Sequence, residues 1–463
     1  MPGKRYDAVV VGSGQGGVPL ASALAQAGHH VAMVEAAHVG GTCVNYGCTP
    51  TKTMIASARA ADVTRRAGSY GLRCDGLRAR MAEIVARKQS IVERFREGVT
   101  ESLDASGVEL IRGRASFAGP RRLRVELAAG GAVDLEAERV FLNTGARPST
   151  PPIEGLHDVP HLDSTSIMDL DDVPDHLIAI GGGYVALEFA QLFRRLGSRV
   201  TVLARGEQLL SREDEDIARA VCEVLREDGI DVRLLAAVDR VRRGEGGEIE
   251  IDLTRREGGP APAPIRGSHL LVATGRTPNT DALDLDRAGV QVDERGYVVV
   301  DEGLETTAPG VYALGDIRPG PAFTHASYDD SRVLLANLQG DGRASVRDRI
   351  VPYTVFLDPQ LGRVGLSERE AKARGIPYRL ARLPAGHVAR AIEMDEPRGV
   401  WKALVAPDSE KILGAAIFGF DGGEVLAMVQ IAMMGDLPYH ALRDGIFAHP
   451  TLAEGLNSLF SGT

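Results

Sequence analysis

The sequence has few cysteines, no apolar run long enough to span a membrane and no excess of positive charge. Four cysteines among 463 residues cannot form a secreted disulfide framework, and in a reducing compartment a disulfide is expected to be catalytic. The 53 basic and 63 acidic residues give a formal net charge of −10, which disfavours general binding to nucleic acid. A strand-like run begins at Asp7 and leaves no room for a signal peptide. We therefore expect a soluble, cytoplasmic protein that acts on small diffusible molecules, without membrane or nucleic-acid partners.

The chain is too long for a single hydrophobic core. Its 463 residues, of which 44% are hydrophobic, are enough for about three domains of ordinary size. Two segments with the order strand, glycine turn, helix and strand begin near Asp7 and Leu177. We therefore predict an α/β fold with two Rossmann-type dinucleotide-binding domains and a third, α+β domain from Val351 onward. The low-complexity segment Gly258–Pro264 is predicted to be a surface loop.

The first glycine turn carries a dinucleotide-binding fingerprint. Gly12, Gly14 and Gly17 permit a tight turn and let a pyrophosphate approach a helix N-terminus, where unpaired N–H groups and the helix dipole favour an anion. Glu35 ends the strand-like run Val31–Glu35, where a carboxylate can accept both hydroxyl groups of an adenosine ribose. An ordinary glycine turn is the alternative. The preceding strand, the following helix and the position of the acid favour the dinucleotide site.

The second glycine turn differs from the first at two positions. Gly181 and Gly183 are present, but Ala186 stands in place of the third glycine. After the second strand of this unit the chain has Arg205 rather than an acid. An acid would repel a 2′-phosphate, whereas an arginine can bind one, so NADPH is favoured over NADH. The alternative is that Arg205 is an ordinary solvated surface charge.

Cys43 and Cys48 have a spacing that matches neither a thioredoxin-type pair nor a zinc site. No second cluster of cysteine and histidine completes a metal site, so no metal is expected. Gly47 and Pro50 indicate that a helix begins around Cys48, and a helix N-terminus depresses the pKa of a thiol. Lys52 follows one turn later on the same face, where it can serve as a fixed cation. A pair of buried apolar cysteines is the alternative, which the flanking glycines and the nucleotide site disfavour.

Near the C-terminus, His449 is followed by Glu454. A carboxylate bonded to one ring nitrogen fixes the tautomer of an imidazole and raises its basicity, which leaves the other nitrogen free to move a proton. A histidine near a helix start more often caps the helix or packs against it. These two residues alone therefore leave both roles open.

Together these motifs resemble those of the pyridine nucleotide-disulfide oxidoreductases, the family of glutathione reductase, lipoamide dehydrogenase and mercuric reductase. The resemblance extends over the whole chain. The matching residues are Gly12, Gly14 and Gly17; Gly41, Thr42, Cys43, Cys48 and Lys52; Thr144, Gly145 and Ala146; Gly181, Gly183 and Ala186; Ala273–Arg276; Ala313–Asp316; and His449, Pro450 and Glu454.

The resemblance implies FAD at the first glycine turn and a nicotinamide nucleotide at the second. Asp316 is expected to bind the ribityl chain of FAD. Lys52 is expected to lie beside the flavin, paired with Glu188, and Tyr184 to gate the nicotinamide site. Further cofactor contacts are expected from Gly41, Thr42, Thr144, Gly145 and Gly275.

The same resemblance implies how the chain is divided into domains. Residues 1–150 and 276–345 are expected to form the FAD-binding domain, and residues 151–275 the NAD(P)-binding domain. Residues 346–463 are expected to form the dimerisation domain.

The resemblance also implies a catalytic cycle in a homodimer. Cys48 is expected to be the thiol nearest the flavin, and Cys43 the thiol that meets the substrate. In this family the histidine and glutamate that match His449 and Glu454 reach the dithiol of the other subunit. Electrons then pass from NADPH to FAD, from FAD to the disulfide and from the Cys43 thiolate to an oxidised substrate.

Among members of this family, the chain is most similar overall to bacterial flavoproteins of reactive-chlorine resistance, which are described as copper(II) and hypothiocyanous acid reductases. The similarity rests on the segments Thr49–Thr53, Asn143–Gly145, Val351–Phe356, Leu437–Phe447 and Leu456–Phe460. The predicted substrate is therefore a reactive oxidant such as hypothiocyanous acid, a metal ion such as copper(II) or a low-molecular-weight disulfide.

Mercuric reductase and dihydrolipoamide dehydrogenase are the alternatives. The chain ends without the vicinal cysteines of mercuric reductases and has His449 where they usually have tyrosine. Lipoamide dehydrogenases usually have an acid after the second strand of the second unit, where this chain has Arg205, and a glycine at the position of Ala186. A third alternative is a flavin-bearing redox sensor with little turnover.

Overall fold

The computed structural model describes residues 4–254, 263–340 and 342–462, and most of the predicted loop Gly258–Pro264 lies outside them. The helices of the described residues are α1 (Gly17–Gln26), α2 (Gly41–Asn45), α3 (Cys48–Arg65), α4 (Met81–Ser106), α5 (Tyr184–Leu196), α6 (Glu215–Glu227), α7 (Thr324–Gln339), α8 (Glu368–Ala373), α9 (Ala389–Glu393), α10 (Gly422–Met434), α11 (Tyr439–Arg443) and α12 (Gly455–Ser461). None of these helices combines the length and the apolarity needed to cross a lipid bilayer.

The strands of the described residues are β1 (Lys4–Val11), β2 (Val31–Glu35), β3 (Glu109–Gly119), β4 (Arg122–Leu127), β5 (Ala132–Leu142), β6 (Ala146–Pro148), β7 (His176–Ile180), β8 (Arg199–Leu203), β9 (Asp231–Arg233), β10 (Val238–Arg243), β11 (Ile249–Leu253), β12 (Ile265–Gly267), β13 (His269–Val272), β14 (Arg276–Pro278), β15 (Val311–Ala313), β16 (Tyr353–Val355), β17 (Gln360–Gly365), β18 (Arg379–Pro384), β19 (Val400–Val405) and β20 (Ile412–Gly419).

The chain forms two compact units. The first unit contains Met1–Thr53, Ala86–Ser149 and Gly275–Arg349, and the second contains Met54–Val85, Thr150–Thr274 and Ile350–Thr463. The first glycine turn belongs to the first unit and the second glycine turn to the second.

The first unit is built on a mostly parallel sheet. Strands β15, β5, β1, β2 and β3 run parallel in this order, and β4 pairs antiparallel with β3 and β5. β2 is buried along its whole length, as expected of a parallel strand that is covered on both faces. The strand predicted over Val31–Glu35 is confirmed. The first glycine turn connects β1 to α1 at the carboxyl end of β1, which is the edge at which such sheets bind ligands.

The second unit contains a parallel sheet and two antiparallel sheets. Strands β13, β7, β8 and β9 run parallel in this order, and β10, β11 and β12 form a small antiparallel sheet. The C-terminal sheet has the antiparallel order β16, β17, β20, β19 and β18, and α10 packs against β17 and β20. The predicted α/β class, with two βαβ units and a C-terminal α+β part, is confirmed.

A buried lysine connects the C-terminal sheet to the loop before α6. The side chain of Lys402, on β19, is 1% exposed, and its Nζ lies 3.0 Å from Asp214, 2.8 Å from Asp216 and 2.6 Å from Glu368. Burial disfavours the charged ammonium, but hydrogen bonds to the three carboxylates outweigh it and raise the pKa of Lys402. The carboxylate of Asp214 also accepts hydrogen bonds from the N–H groups of Glu368 and Arg369. One ammonium therefore compensates three carboxylates at this junction.

Replacing Lys402 with methionine is expected to lower the free energy of unfolding by about 3–5 kcal/mol, because the variant leaves the buried carboxylate of Asp214 without its counter-charge. Urea denaturation followed by circular dichroism measures the loss. Lys411→Met is the matched control, since Lys411 and its partner Asp436 are both largely exposed and their pair contributes about 1 kcal/mol or less. Equal stability of the two variants would contradict a structural role for Lys402.

Candidate active site

The loop that carries the two cysteines packs directly on the first glycine turn. Gly40 and Gly41 both have positive φ, 95° and 61°, and a Cβ added to Gly41 would lie 2.7 Å from the Cα of Gly14. The short helix α2 then carries Cys43, and α3 begins at Cys48. The helix start predicted around Cys48 is therefore confirmed.

The two cysteines are not joined by a disulfide in this structure, and their thiols act on each other electrostatically. Cys43 is half-buried and Cys48 is exposed. The hydrogen bond to Cys48, burial and the Cys48 charge raise the pKa of Cys43 far above its usual range. A hydrogen bond from Thr324 and the charge of Lys52 act in the opposite direction. A charged Cys48 therefore opposes ionisation of Cys43.

Thr324 is a functional candidate that the sequence analysis missed. It is the first residue of α7, and its Oγ1 lies 3.4 Å from Sγ of Cys48. The N-termini of two helices, α3 and α7, therefore meet at the dithiol. Their unpaired N–H groups and dipoles favour negative charge on sulfur.

Asn45 and Arg96 hold the cysteine loop in place. Nδ2 of Asn45 donates to the carbonyl oxygens of Val39 and Gly41, each at 2.9 Å. Oδ1 of Asn45 accepts two hydrogen bonds from the guanidinium of Arg96, on α4, at 2.9 and 2.7 Å. The loop is thus fixed by bonds that do not involve the sulfur atom of either cysteine.

The first glycine turn is fixed by the buried side chain of Asn143. The N–H of Gly17 donates to Oδ1 of Asn143 at 2.9 Å. A Cβ added to Gly14 would lie 2.6 Å from the same Oδ1, and one added to Gly12, where φ is 100°, would lie 2.4 Å from the Asn143 carbonyl oxygen. No side chain fits at these two positions, so the backbone itself faces the space in front of α1.

Glu35 ends β2 beside this turn, as predicted. One of its carboxylate oxygens accepts hydrogen bonds from the N–H and the hydroxyl of Ser13, at 2.9 and 2.5 Å. The other accepts the N–H of Ala37 at 2.7 Å. These bonds fix the carboxylate in place, and its remaining lone pairs suit ribose hydroxyl groups.

Asp316 lies in a short 3-10 turn at the end of β15. Its half-buried carboxyl group makes no hydrogen bond within the described part of the chain, and burial raises its pKa while the charge of Arg276 lowers it. Asp330, directly below, accepts the N–H of Gly315 at 2.8 Å and pairs with the buried Arg318. An acceptor held rigidly but left without a partner fits the hydroxyl groups of a ribityl chain.

The remaining predicted residues of the first unit lie near these elements. The hydroxyl of Thr144 donates to the carbonyl of Asn279 at 2.9 Å. Gly145 has a φ of 66°, and no atom of the described residues lies within 4 Å of a Cβ added there, which leaves room for a ligand. The carbonyl of Gly275 accepts the N–H of Ser149 at 3.0 Å, and Thr42 is exposed on α2.

The second glycine turn connects β7 to α5. Gly181 has a φ of 141°, and a Cβ added to it would lie 2.4 Å from the carbonyl oxygen of Ala273. Among the residues that the structure describes, no atom lies within 4 Å of a Cβ added to Gly183, so these residues leave the space in front of the helix open. Ala186 is fully buried, and its methyl group is accommodated where a third glycine was expected. Tyr184 is the first residue of α5 and is half-buried.

One face of α5 binds the segment before β17. The buried carboxylate of Glu188 accepts the N–H of Phe356 at 2.8 Å. Three residues later on the helix, Gln191 accepts the N–H of Asp358 and donates to its carbonyl, at 2.8 and 2.9 Å. One turn further, Arg195 pairs with the Asp358 carboxylate. The carboxylate of Glu188 is therefore held in a defined position.

Three predicted features of the site stay predictions. Lys52 belongs to the first unit and Glu188 to the second, so their pairing is untested. Arg205 is exposed and makes no ion pair or hydrogen bond with the residues that the structure describes. Nδ1 of His449 lies 2.9 and 3.1 Å from the two Glu454 oxygens, while the imidazole is 72% exposed. The expected bond between these two residues is present, but the group that the imidazole serves is untested.

Comparison with known proteins decides the family. Residues 6–331 match the family model "Pyridine nucleotide-disulphide oxidoreductase", and residues 351–460 match the model of the dimerisation domain of that family. The chain belongs to the pyridine nucleotide-disulphide oxidoreductases. It is therefore a flavoprotein enzyme whose cofactors are FAD and a pyridine nucleotide, and it carries a dimerisation domain.

Relatives that match nearly the whole chain include enzymes of this family with different names. The probable pyridine nucleotide-disulfide oxidoreductase RclA of Escherichia coli is 38% identical over 462 residues, which are 99% of each chain. A mercuric reductase of Streptomyces lividans is 35% identical over 97% of this chain and 94% of its own. A dihydrolipoyl dehydrogenase of Thermus scotoductus is 34% identical over 98% and 96%. The structure of the Cu(II) complex of the HOCl-induced flavoprotein disulfide reductase RclA has a TM-score of 0.90 and 37% identity, and covers 99% of this chain and 100% of its own.

Replacing Thr324 with valine is expected to raise the pKa of the dithiol by about half a unit to one unit, because the variant loses the hydroxyl that hydrogen-bonds to sulfur. The thiolate then forms at higher pH, which titration of its ultraviolet absorbance in the reduced enzyme measures. Thr324→Ser keeps the hydroxyl group and should titrate like the wild type. An unchanged titration of Thr324→Val would mean that the hydroxyl does not stabilise the thiolate.

Proposed function

We propose that this oxidoreductase uses NADPH and FAD to keep Cys43 and Cys48 reduced, and that the resulting dithiol reduces a small oxidant. The observation that carries this proposal is the coupling of the two thiols. Cys48 lies where the N-termini of α3 and α7 meet, and Cys43, whose pKa is raised by Cys48 and by burial, keeps its proton until a base removes it. A transfer of electrons from a cofactor to a substrate requires two thiols with different roles, one that exchanges electrons with the cofactor and one that attacks the substrate.

We assign the domains and the cofactor sites as the sequence indicates. The FAD domain comprises residues 1–150 and 276–345, the NAD(P) domain residues 151–275 and the dimerisation domain residues 346–463. The residues that hold FAD are Gly12, Gly14, Gly17, Glu35, Gly41, Thr42, Lys52, Thr144, Gly145 and Asp316. The residues that hold the nicotinamide nucleotide are Gly181, Gly183, Tyr184, Ala186, Glu188, Arg205 and Gly275.

The charge of Arg205 supports NADPH as the reductant. Its guanidinium is exposed two residues after β8, where dinucleotide-binding folds recognise the adenosine ribose. A planar guanidinium binds a 2′-phosphate through two hydrogen bonds, and this one has no competing carboxylate partner among the described residues. NADH lacks the phosphate and gains nothing from this side chain.

FAD, when bound, supplies the chemistry that converts the hydride of NADPH into two electrons for a disulfide. The positive charge of Lys52 acts to lower the pKa of Cys43, which favours the thiolate form of that residue. Cys43 loses its proton to a base and attacks the electron-poor atom of the oxidant, whose leaving group departs with the bonding electron pair. Cys48 then displaces the reduced remainder from Cys43. The dithiol becomes a disulfide and has released two electrons and two protons.

His449 and Glu454 supply the base and the acid. Glu454 accepts a hydrogen bond from Nδ1, which leaves Nε2 as the nitrogen that takes the Cys43 proton and returns it to the leaving group. The imidazole is largely exposed on its own protomer, which supports a role toward another chain. We place it at the dithiol of the partner subunit in a homodimer.

The substrate is a reactive oxidant such as hypothiocyanous acid, or copper(II), of which two ions each accept one electron from the dithiol. The similarity over 99% of this chain to an HOCl-induced flavoprotein disulfide reductase whose solved structure is a Cu(II) complex supports this class. The half-buried position of Cys43 also suits a small oxidant. Dihydrolipoamide, mercury(II) and glutathione disulfide are the competing substrates.

Steady-state oxidation of NADPH and NADH against hypothiocyanous acid, copper(II), mercury(II), glutathione disulfide and lipoamide tests the proposal. We expect a rate with hypothiocyanous acid or copper(II) that is at least about 100-fold above that of Cys43→Ser, because this variant lacks the attacking thiol. Cys48→Ser is the second variant, and it should lose the long-wavelength absorbance of a thiolate beside the flavin, which Cys43→Ser keeps. A rate that does not depend on Cys43, or faster turnover with lipoamide and NADH, would refute it.

Mixing two inactive variants tests the shared site. Homodimers of Cys43→Ser and of His449→Ala should both be nearly inactive. If His449 serves the partner subunit, randomised mixed dimers contain one intact site each, and about a quarter of the wild-type activity should return. The double variant Cys43→Ser/His449→Ala, mixed with wild type, controls for subunit exchange. No recovery after proven exchange would place the acid and base elsewhere.

A further inference from the structure

Leu235 combines two features that a leucine normally avoids. It follows β9 by two residues, its backbone φ is 55°, and its side chain is 49% exposed. A positive φ is strained for a leucine, because the side chain crowds the backbone in the left-handed region. Such backbone strain concentrates at functional sites. Neither the strained backbone of Leu235 nor its exposed side chain stabilises the hydrophobic core. Binding of a ligand would explain why the chain retains a leucine at this position.

The backbone around Leu235 is bonded to both neighbours of Arg205. The N–H of Leu235 donates to the carbonyl of Gly206 at 2.9 Å, and the N–H of Ala236 donates to the carbonyl of Ala204 at 2.9 Å. Arg205 is thereby fixed between two backbone bonds, while its own side chain stays exposed. Leu235 and Arg205 each follow the carboxyl end of a parallel strand, β9 and β8, and this edge of the sheet is where such folds bind ligands.

The second glycine turn belongs to the same edge. The N–H of Leu210 donates to the carbonyl of Gly182 at 2.8 Å, and Leu210 also has a positive φ, 47°. A Cβ added to Gly182 would lie 3.1 Å from the Cβ of Ala204, so the turn and the segment that carries Arg205 are in contact. Both strained leucines are thus bonded to backbone that would surround the adenosine half of a nucleotide.

We propose that Leu235 forms the apolar wall against which the adenine ring of the pyridine nucleotide packs, beside the 2′-phosphate site at Arg205. An apolar side chain at the carboxyl edge of the sheet removes the flat adenine face from water, whereas Arg205 reads the charge of the neighbouring phosphate. This assignment rests on the proposed use of a nicotinamide nucleotide by the second unit. Leu235 would thus contribute to the affinity for the nucleotide whether or not the 2′-phosphate is present.

The contributions of Leu235 and Arg205 to nucleotide affinity can be separated by measuring the binding of two adenosine fragments to the oxidised holoenzyme by titration calorimetry. Leu235→Ala should weaken 2′,5′-ADP and 5′-AMP by the same factor, about five- to tenfold, because both contain the adenine ring. Arg205→Gln should weaken 2′,5′-ADP alone. Leu235→Met keeps an apolar wall and should restore most of the affinity. Val292→Ala is the control: it truncates a residue of the first unit that is 45% exposed, and it should not change the affinity for either fragment.

Leu235→Gly provides a variant that folds without strain, since glycine adopts a positive φ freely. It should bind both fragments as weakly as Leu235→Ala while its Tm equals or exceeds that of the wild type. Wild-type affinity for both fragments in Leu235→Ala and Leu235→Gly would overturn the proposal. If the wild type binds the two fragments equally well, the preference for NADPH is wrong, and a loss of both in Leu235→Ala still supports the adenine wall.

Discussion

The geometry of the first unit depends on one buried amide. Asn143 accepts the N–H of Gly17 and donates to the carbonyl of Leu314, so it joins the first glycine turn to the end of β15. A buried amide that uses both its donor and its acceptor allows little freedom to the backbone on either side. Because Gly41 packs on Gly14, the cysteine loop inherits its position from the same turn. Asn143 thus sets where the dithiol lies within the first unit.

Much of the fold was predictable because the signals are local. The glycine turns follow from steric demands at single positions, and a Cβ at Gly12 or Gly181 would fall within 2.4 Å of a carbonyl oxygen. The strand Val31–Glu35 is a continuous apolar run that ends in an acid, and the start of α3 at Cys48 is indicated by the glycine and proline beside it. Each of these signals extends over a few residues, so one sequence suffices to detect it.

The candidate site was less predictable because its contacts connect distant parts of the chain. Thr324 touches Cys48 although 276 positions separate them, and Arg96 reaches Asn45 across 51 positions. Nothing in the sequence near either partner indicates such a contact. The helix N-terminus at Cys48 led to the expectation of a depressed thiol pKa there, but only the structure reveals the raised pKa of Cys43. Charge coupling between neighbours depends on distance and burial, which a sequence does not contain.

The contact between α5 and the segment before β17 uses side chains on the helix but mainly backbone atoms on the segment. On the helix, Glu188 and Gln191 contribute a carboxylate and an amide, whereas the opposite partners are main-chain atoms of Phe356 and Asp358. Every residue except proline has the N–H that Glu188 requires. The residue at position 356 should therefore vary widely during evolution, because only its main chain takes part in the contact. The residues at positions 188 and 191 should vary little, because their side chains make the bonds.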